Sequence, residues 1–274
     1  MAERIDFKVK LTGDLADEHR FEGYDGYMGL AGVAWTMSLV ANYVETGKIR
    51  QRGDFPGRHL VQGSAPGPGS VLTELSVFLA SDAAQTFGLA AATGVSGELM
   101  RQLLKRVIDR NLGEDDVIPA GPMRDLAARR GGDVEALVAV SEAPIRQAHS
   151  VIGNGAKKLT IVTGHNIINT FDEETKEYVR QNVEDSAVKN RLFSVSAFNA
   201  NSGYGSVFDT ELGRVVPISM SRDTLRMYRP VFSWGLDQYA NRTGRKIDMT
   251  FYRILAMDGR PKRYIVQAAS IIDR

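Results

Sequence analysis

The stretch Phe193-Ser194-Val195-Ser196-Ala197-Phe198-Asn199-Ala200-Asn201-Ser202-Gly203-Tyr204-Gly205-Ser206-Val207-Phe208-Asp209 decides the reading of this chain. Phe193 to Asn199 and Tyr204 to Asp209 are strand-like runs, and Ala200-Asn201-Ser202-Gly203 between them has turn composition, so the stretch reads as two strands joined by a turn. Working outward, Asp209-Thr210-Glu211-Leu212-Gly213 is a second turn and Arg214 to Met220 a third strand. Ser221 can cap a helix containing Leu225 and Tyr228. Pro230 predicts a break there, with a further helical turn through Trp234 and Leu236 to Tyr239, closed by Gly244. Lys246 to Met257 and Arg263 to Ile272 are two longer strands joined by the hairpin dipeptide Asp258-Gly259.

Three strands, a helix and two strands is the order of an OB-fold barrel. The run Val195 to Val207 also resembles the first two strands of a cold-shock domain, with its apolar-x-aromatic-Phe-Asn pattern followed by Gly-aromatic-Gly. That resemblance implies a small β-barrel of about 80 residues whose exposed aromatic rings stack on bases. Phe198 and Tyr204 keep two of the family's aromatic positions, whereas Ala197 and Ser206 stand at two others, and Val215-Val216-Pro217-Ile218-Ser219 lacks the aromatic and His-rich third strand. Each missing ring forfeits roughly 1–3 kcal/mol of stacking per base. The contacts the resemblance leaves are Phe198 and Tyr204, joined by the cations Arg214, Arg253, Lys262 and Arg263 as polyanion ligands. The outline of the whole chain also resembles bacterial proteins of uncharacterised function, which implies a bacterial origin and no site.

Charge is distributed unevenly. The net charge is +1, but Ser186 to Arg274 holds 14 Lys and Arg against 7 Asp and Glu, and the first 185 residues hold 20 against 26. A basic C-terminal part behind an acidic N-terminal part favours a polyanionic partner for the former.

Towards the N-terminus, Ile5, Phe7, Val9 and Leu11 alternate with polar residues as in a strand with one buried face. Tyr24 to Val44 has helical spacing and Gly47 at its end. Gly23, Gly26, Gly29 and Gly32 make either a close-packed helix face or an anion-binding turn, and no G-x-G-x-x-G or Walker spacing supports the second. Leu60 to Leu79 reads as a hairpin around the Pro/Gly-rich residues 63–70. Leu99 to Ile108 predicts a helix, Asp133 an N-cap for another that ends near Pro144, and Leu159 to Val162 a buried strand. Asp172 is a cap for a helix over 173–187. The chain is thus expected to be α+β: residues 1–185 form an N-terminal mixed α/β domain with a helical insert, and residues 186–274 an OB-like barrel.

Chemistry is sparse. The absence of cysteine removes disulfides, thiolate nucleophiles and Cys-ligated zinc, and suits a reducing cytoplasm. His19, His59, His149 and His165 include no i,i+3 or i,i+4 pair, so no helix-borne metal site is expected, and no cofactor motif is present. Asp115-Asp116 and Glu173-Glu174 have no spaced carboxylate partner. His149-Ser150 offers a nucleophile beside a base, and Gly153, Gly155, Lys157 and Lys158 a possible anion nest; a plain turn accounts for both. No secretory leader is expected from the first residues, and no run reaches the roughly 18 apolar residues of a membrane span. The uncharged segment Ala83 to Ser96, whose small residues permit close approach, is the feature that suggests a homo-oligomer.

Three functions stay open on this reading. They are a non-catalytic binding or assembly protein using the basic barrel, a protein that binds single-stranded nucleic acid, and a hydrolase or nucleotide-processing enzyme around His149, Ser150 and Lys157.

Overall fold

The computed structural model describes residues 2–50, 57–64, 72–89, 94–114, 120–180, 182–256 and 259–272. They divide into two compact units, one of residues 1–126 and 140–180 and one of residues 127–139 and 181–274. The expected division after residue 185 falls inside a strand of the second unit.

The first unit is built on a mixed layer of helices and one antiparallel sheet. Its elements are β1 (Ala2–Thr12), α1 (Gly23–Thr46), the short α2 (Gly57–Leu60), β2 (Val61–Gly63), β3 (Leu72–Ala80) and α3 (Val95–Leu112). They continue with the two ends of α4 (Pro122–Ala148), whose middle, Ala127–Ala139, belongs to the second unit, and with β4 (Lys158–Thr163), β5 (Asn166–Phe171) and α5 (Glu173–Arg180). The strand order is β2-β3-β1-β4-β5. The alternation in β1 sets the register, because Phe7 faces Leu75 and Leu11 faces Leu159, and all four are buried. Residues 65–71, most of the expected hairpin turn, lie outside the described residues, but β2 and β3 pair antiparallel as expected.

The glycines of α1 serve packing. A Cβ on Gly32 would lie 2.5 Å from both Pro144 O and Ala148 N, so the backbone of α4 can approach only because no side chain is there. That close approach also bears on a correction. Pro144 does not end a helix; α4 runs on to Ala148, held by packing that outweighs the lost hydrogen bond. A second helical segment does begin in this region, after the non-helical backbone of Arg130 that kinks α4, but Asp133 lies within its first turn rather than capping it.

Asp172 does cap α5: Thr175 N donates to Asp172 Oδ1 at 3.1 Å and Asp172 N donates to Thr175 Oγ1 at 2.8 Å. The helix stops at Arg180, however, rather than near residue 187. Val183 to Asp185 pair with the C-terminal part of the chain instead, a long-range constraint that local periodicity does not carry. In the Ala83 to Ser96 segment, Ala83, Ala84, Phe87, Leu89 and Ser96 are buried, and Ser96 Oγ accepts from Ala84 N at 3.1 Å. The described part is therefore spent on the chain's own core; residues 90–93 lie outside the description.

The second unit is a closed five-stranded barrel with one helix. It comprises β6 (Val183–Phe198), β7 (Gly205–Asp209), β8 (Arg214–Met220), α6 (Arg222–Ala240), β9 (Ile247–Leu255) and β10 (Pro261–Ile271). The strands close in the order β10-β8-β7-β6-β9, with β10 parallel to β8 and antiparallel to β9. Phe193, Val195, Phe198, Val207, Ile218, Phe232, Phe251 and Tyr264 fill the interior. The helix α6 is continuous through Pro230, contrary to the expected break, and Ser221 Oγ caps it by accepting from Thr224 N.

Candidate functional site

The run around His149 is a structural joint. Its Nδ1 lies 2.8 Å from Ile145 O, which can only accept, so Nδ1 carries the proton and Nε2, 3.0 Å from Thr175 Oγ1, is an acceptor. Burial, the largest influence, pushes its pKa down to about 4 despite the bond to Ile145. The Ser150 hydroxyl donates to Asp25 O at 2.7 Å, away from any base. The two side chains thus form no nucleophile-base pair.

The anion nest is also occupied by the chain itself. Gly153 N donates to Ala156 O, Asn154 N and Ala156 N to Val151 O, and Lys157 N to Thr12 O. Lys157 Nζ lies 3.7 Å from Asp14, and Lys158 begins β4. These N–H groups close a turn rather than point at a ligand. Gly153 and Gly155 supply the positive φ angles that turn needs.

In the barrel, the residues of the cold-shock resemblance make the fold. Asn199 Oδ1 accepts from Asn201 N and Ser202 N, both at 3.0 Å, and its backbone pairs with Gly203 and Tyr204 to close the β6–β7 turn. Gly203 has φ +75°, which that turn requires. Phe198 must be corrected as a stacking ring: it is buried, with its centroid 5.4 Å from Phe232. Tyr204 remains half-exposed.

The four cations lie on the neighbouring strands β8, β9 and β10, away from these aromatics. Arg214 opens β8 opposite Asp209, at the far end of β7 from Tyr204. Arg214 Nη2 donates to Pro261 O at 2.9 Å, next to Lys262 and Arg263. In the β9–β10 register Arg253 faces Tyr264, and Ile254 faces Arg263. Their charges are held differently. Arg253 is matched by Asp185, to which its Nε donates at 2.8 Å, and this bond holds the Asp185 carboxyl below the usual range. Lys262 Nζ donates at 2.7 Å to the neutral Asn182 Oδ1. The Arg214 bond, to a neutral carbonyl, orients a cation without neutralising it.

Two further clusters escaped the sequence reading. Asp209 is fully buried and accepts from Tyr264 OH at 2.5 Å, Arg191 Nη2 at 3.0 Å, Glu211 N at 2.9 Å and Leu212 N at 3.2 Å. Burial and this carboxylate push the Tyr264 phenol well above its ordinary pKa. Burial works against the Arg191 charge, but Glu211 and Asp209 outweigh it and raise its pKa. With every acceptor matched, this cluster pins the barrel wall; it does not present a reactive group. In the first unit a cavity of about 290 Å³ is lined by α3 and the β4–β5 hairpin, including Arg101, Lys105, Asp109 and Ile167. Asp109 there is bonded by Lys105 and, at 2.6 Å, by Asn169 Nδ2. No local pattern could reveal a pair sixty residues apart.

Among the described residues no group of three or more His, Asp or Glu is placed to hold a metal ion, and no helix is long and apolar enough to cross a membrane. No curated protein and no solved structure matches the chain. Residues 7–180 match a family described as a Domain of unknown function (DUF7946), a span that ends on the last residue of the first unit and before β6. The chain belongs to that family, and the residues of the cold-shock resemblance lie beyond the matched span.

Proposed function

We propose that the protein is a non-catalytic binding protein that recognises an anionic partner through its basic barrel, and that this barrel is OB-like. The strand sequence β6-β7-β8-α6-β9-β10, closing with β8 beside β10 and β9 beside β6, supports the second part. The observation that carries the first is the placement of Arg214, Lys262 and Arg263 at the neighbouring starts of β8 and β10, in a unit whose residues 186–274 hold twice as many cations as anions. Clustered charge on one surface raises the local concentration of an oppositely charged ligand and speeds its arrival.

Nucleic acid is the partner this chemistry favours. The burial of Phe198 takes away a ring that base stacking would use, so recognition runs through phosphates and is insensitive to sequence. Purification at low salt is expected to leave a raised 260/280 nm absorbance ratio. A single-stranded oligonucleotide should bind with log K falling linearly against log salt. The Lys262→Ala/Arg263→Ala variant should bind all sequences more weakly by a similar factor. Its salt slope should be shallower by about 1.4, since each single-strand phosphate contact contributes roughly 0.7. Unchanged affinity and slope would remove these residues from the interface, and no oligonucleotide binding at low salt would exclude nucleic acid.

A further inference from the structure

We propose that the outer face of α6 is a track for the phosphate backbone of a single-stranded nucleic acid, with Arg222, Arg226 and Arg229 as its contacts. The inference rests on the reading of the barrel as a binder of anions and moves the main contact to a surface that reading does not include. The spacing i, i+4, i+7 places the three guanidinium groups on one stripe of the helix. At a rise of about 1.5 Å per residue, the stripe spans about 10 Å. All three residues are exposed.

Their bonding within the fold is slight. Among the described residues Arg222 and Arg229 have no hydrogen bond or ion pair. Arg226 Nη2 lies 3.0 Å from Asp223 Oδ1, but these side chains are 82% and 87% exposed, so water and salt readily exchange for that pair. Like charges at i,i+4 repel, and the stripe sits in the first turns of the helix, against its dipole. The arginines thus work against helix stability, and the exposed Arg226–Asp223 pair offsets this only weakly. An anion lying along the stripe would do so more strongly. Beyond the helix end, Arg242 and Arg245 are exposed as well.

A phosphate chain suits this face better than a lipid surface. An interfacial membrane helix needs its apolar side free, whereas Leu225, Phe232 and Gly235 are buried, and Tyr228, Trp234 and Leu236 pack against the barrel core. Among the described residues of α6, the large apolar side chains that are exposed are Met227, beside the stripe, and Tyr239, near the helix end. Guanidinium forks match phosphate oxygens bidentately, and a flexible single strand can follow a straight row of them.

The test uses the full-length protein and a fluorescein-labelled single-stranded 20-mer, titrated by anisotropy at several salt concentrations. The triple variant Arg222→Gln/Arg226→Gln/Arg229→Gln should melt at or above the wild-type temperature. It should lose at least tenfold in affinity at low salt, with a salt slope shallower by about 2, the share of three single-strand contacts at roughly 0.7 each. The corresponding triple Lys variant should restore most of the slope. Wild-type binding with an unchanged affinity and slope in the triple Gln variant would overturn this inference and leave the barrel reading standing. Absence of binding by the wild type would overturn this inference and exclude nucleic acid as the barrel's partner. Loss in the triple Gln variant of binding to vesicles of phosphatidylserine and phosphatidylcholine, with oligonucleotide binding intact, would overturn the assignment in favour of a membrane.

Discussion

His149 is held by Ile145 O on one nitrogen and Thr175 on the other, with its ring edge-on to Phe171 at 4.7 Å. Such a site accepts the neutral ring and resists the charged one. Because the folded pKa is about 4, below the ordinary 6.5, the unfolded chain binds the extra proton first as the solution is acidified. The associated stability is therefore complete above about pH 6.5 and is lost as pH falls towards 4, amounting to about 3 kcal/mol in all. The lowered carboxyl of Asp185 releases its own contribution only at still lower pH, below its ordinary value, so the two effects separate. Urea unfolding at pH 7, 5.5 and 4.5 should show this loss for the wild type. A His149→Gln variant should be less stable at pH 7 yet flatter across the interval. Equal slopes for the two proteins would show that another group titrates there.

At the scale of elements, neighbouring glycines of α4 offer a sharper test of packing. A Cβ on Gly132 would lie 2.3 Å from Phe198 C and O, which are backbone atoms and cannot rotate away. A Cβ on Gly131 would meet only the Ala197 side chain, at 3.3 Å. Alanine gains about 1 kcal/mol of helix propensity over glycine at either place, but overpacking against an unyielding wall costs about 1–3 kcal/mol. Gly131→Ala should be near neutral and Gly132→Ala destabilising in denaturant titrations; the reverse order would mean that α4 does not press on the barrel strand here. The same contrast marks what the sequence could reveal. Period-two alternation gives β1, helical spacing gives α1 and α3, and the Ser221 cap gives the start of α6, because each signal lies within one element. The continuation of α4 through Pro144 and the early end of α5 are decided by neighbours distant in the chain, Gly32 for the first and β9 for the second. The candidate cations were legible as residue types, and their placement on neighbouring strands was not, since it depends on the β9–β10 and β7–β8 registers.

The second unit is discontinuous in sequence, and this has an energetic consequence for the whole molecule. Ala127–Ala139 belongs with residues 181–274, and two contacts show why. Gly132 lies against the backbone of Phe198, and Asn199 Nδ2 donates to Asp133 Oδ1 at 2.7 Å, so the helical segment secures the turn that joins β6 to β7. A fragment cut at Asn182 keeps every barrel strand and α6 but loses these contacts, leaving Asn199 to find water instead. A hydrogen bond to a charged acceptor contributes roughly 1.5–3 kcal/mol, a noticeable part of the stability of a domain of this size. Trp35 lies in the first unit and Trp234 in the second, so Trp35→Phe makes Trp234 fluorescence a reporter of the barrel alone. The fragment 182–274 should show a sheet-type circular dichroism spectrum and a lower urea midpoint than Trp234 reports in the full-length Trp35→Phe protein. The Asp133→Ala change in the full-length protein should recover part of that difference. A fragment without sheet structure would mean that the strands cannot close a barrel by themselves, whereas equal midpoints would reduce Ala127–Ala139 to a bystander, because segments that add no stability are not part of a cooperative unit.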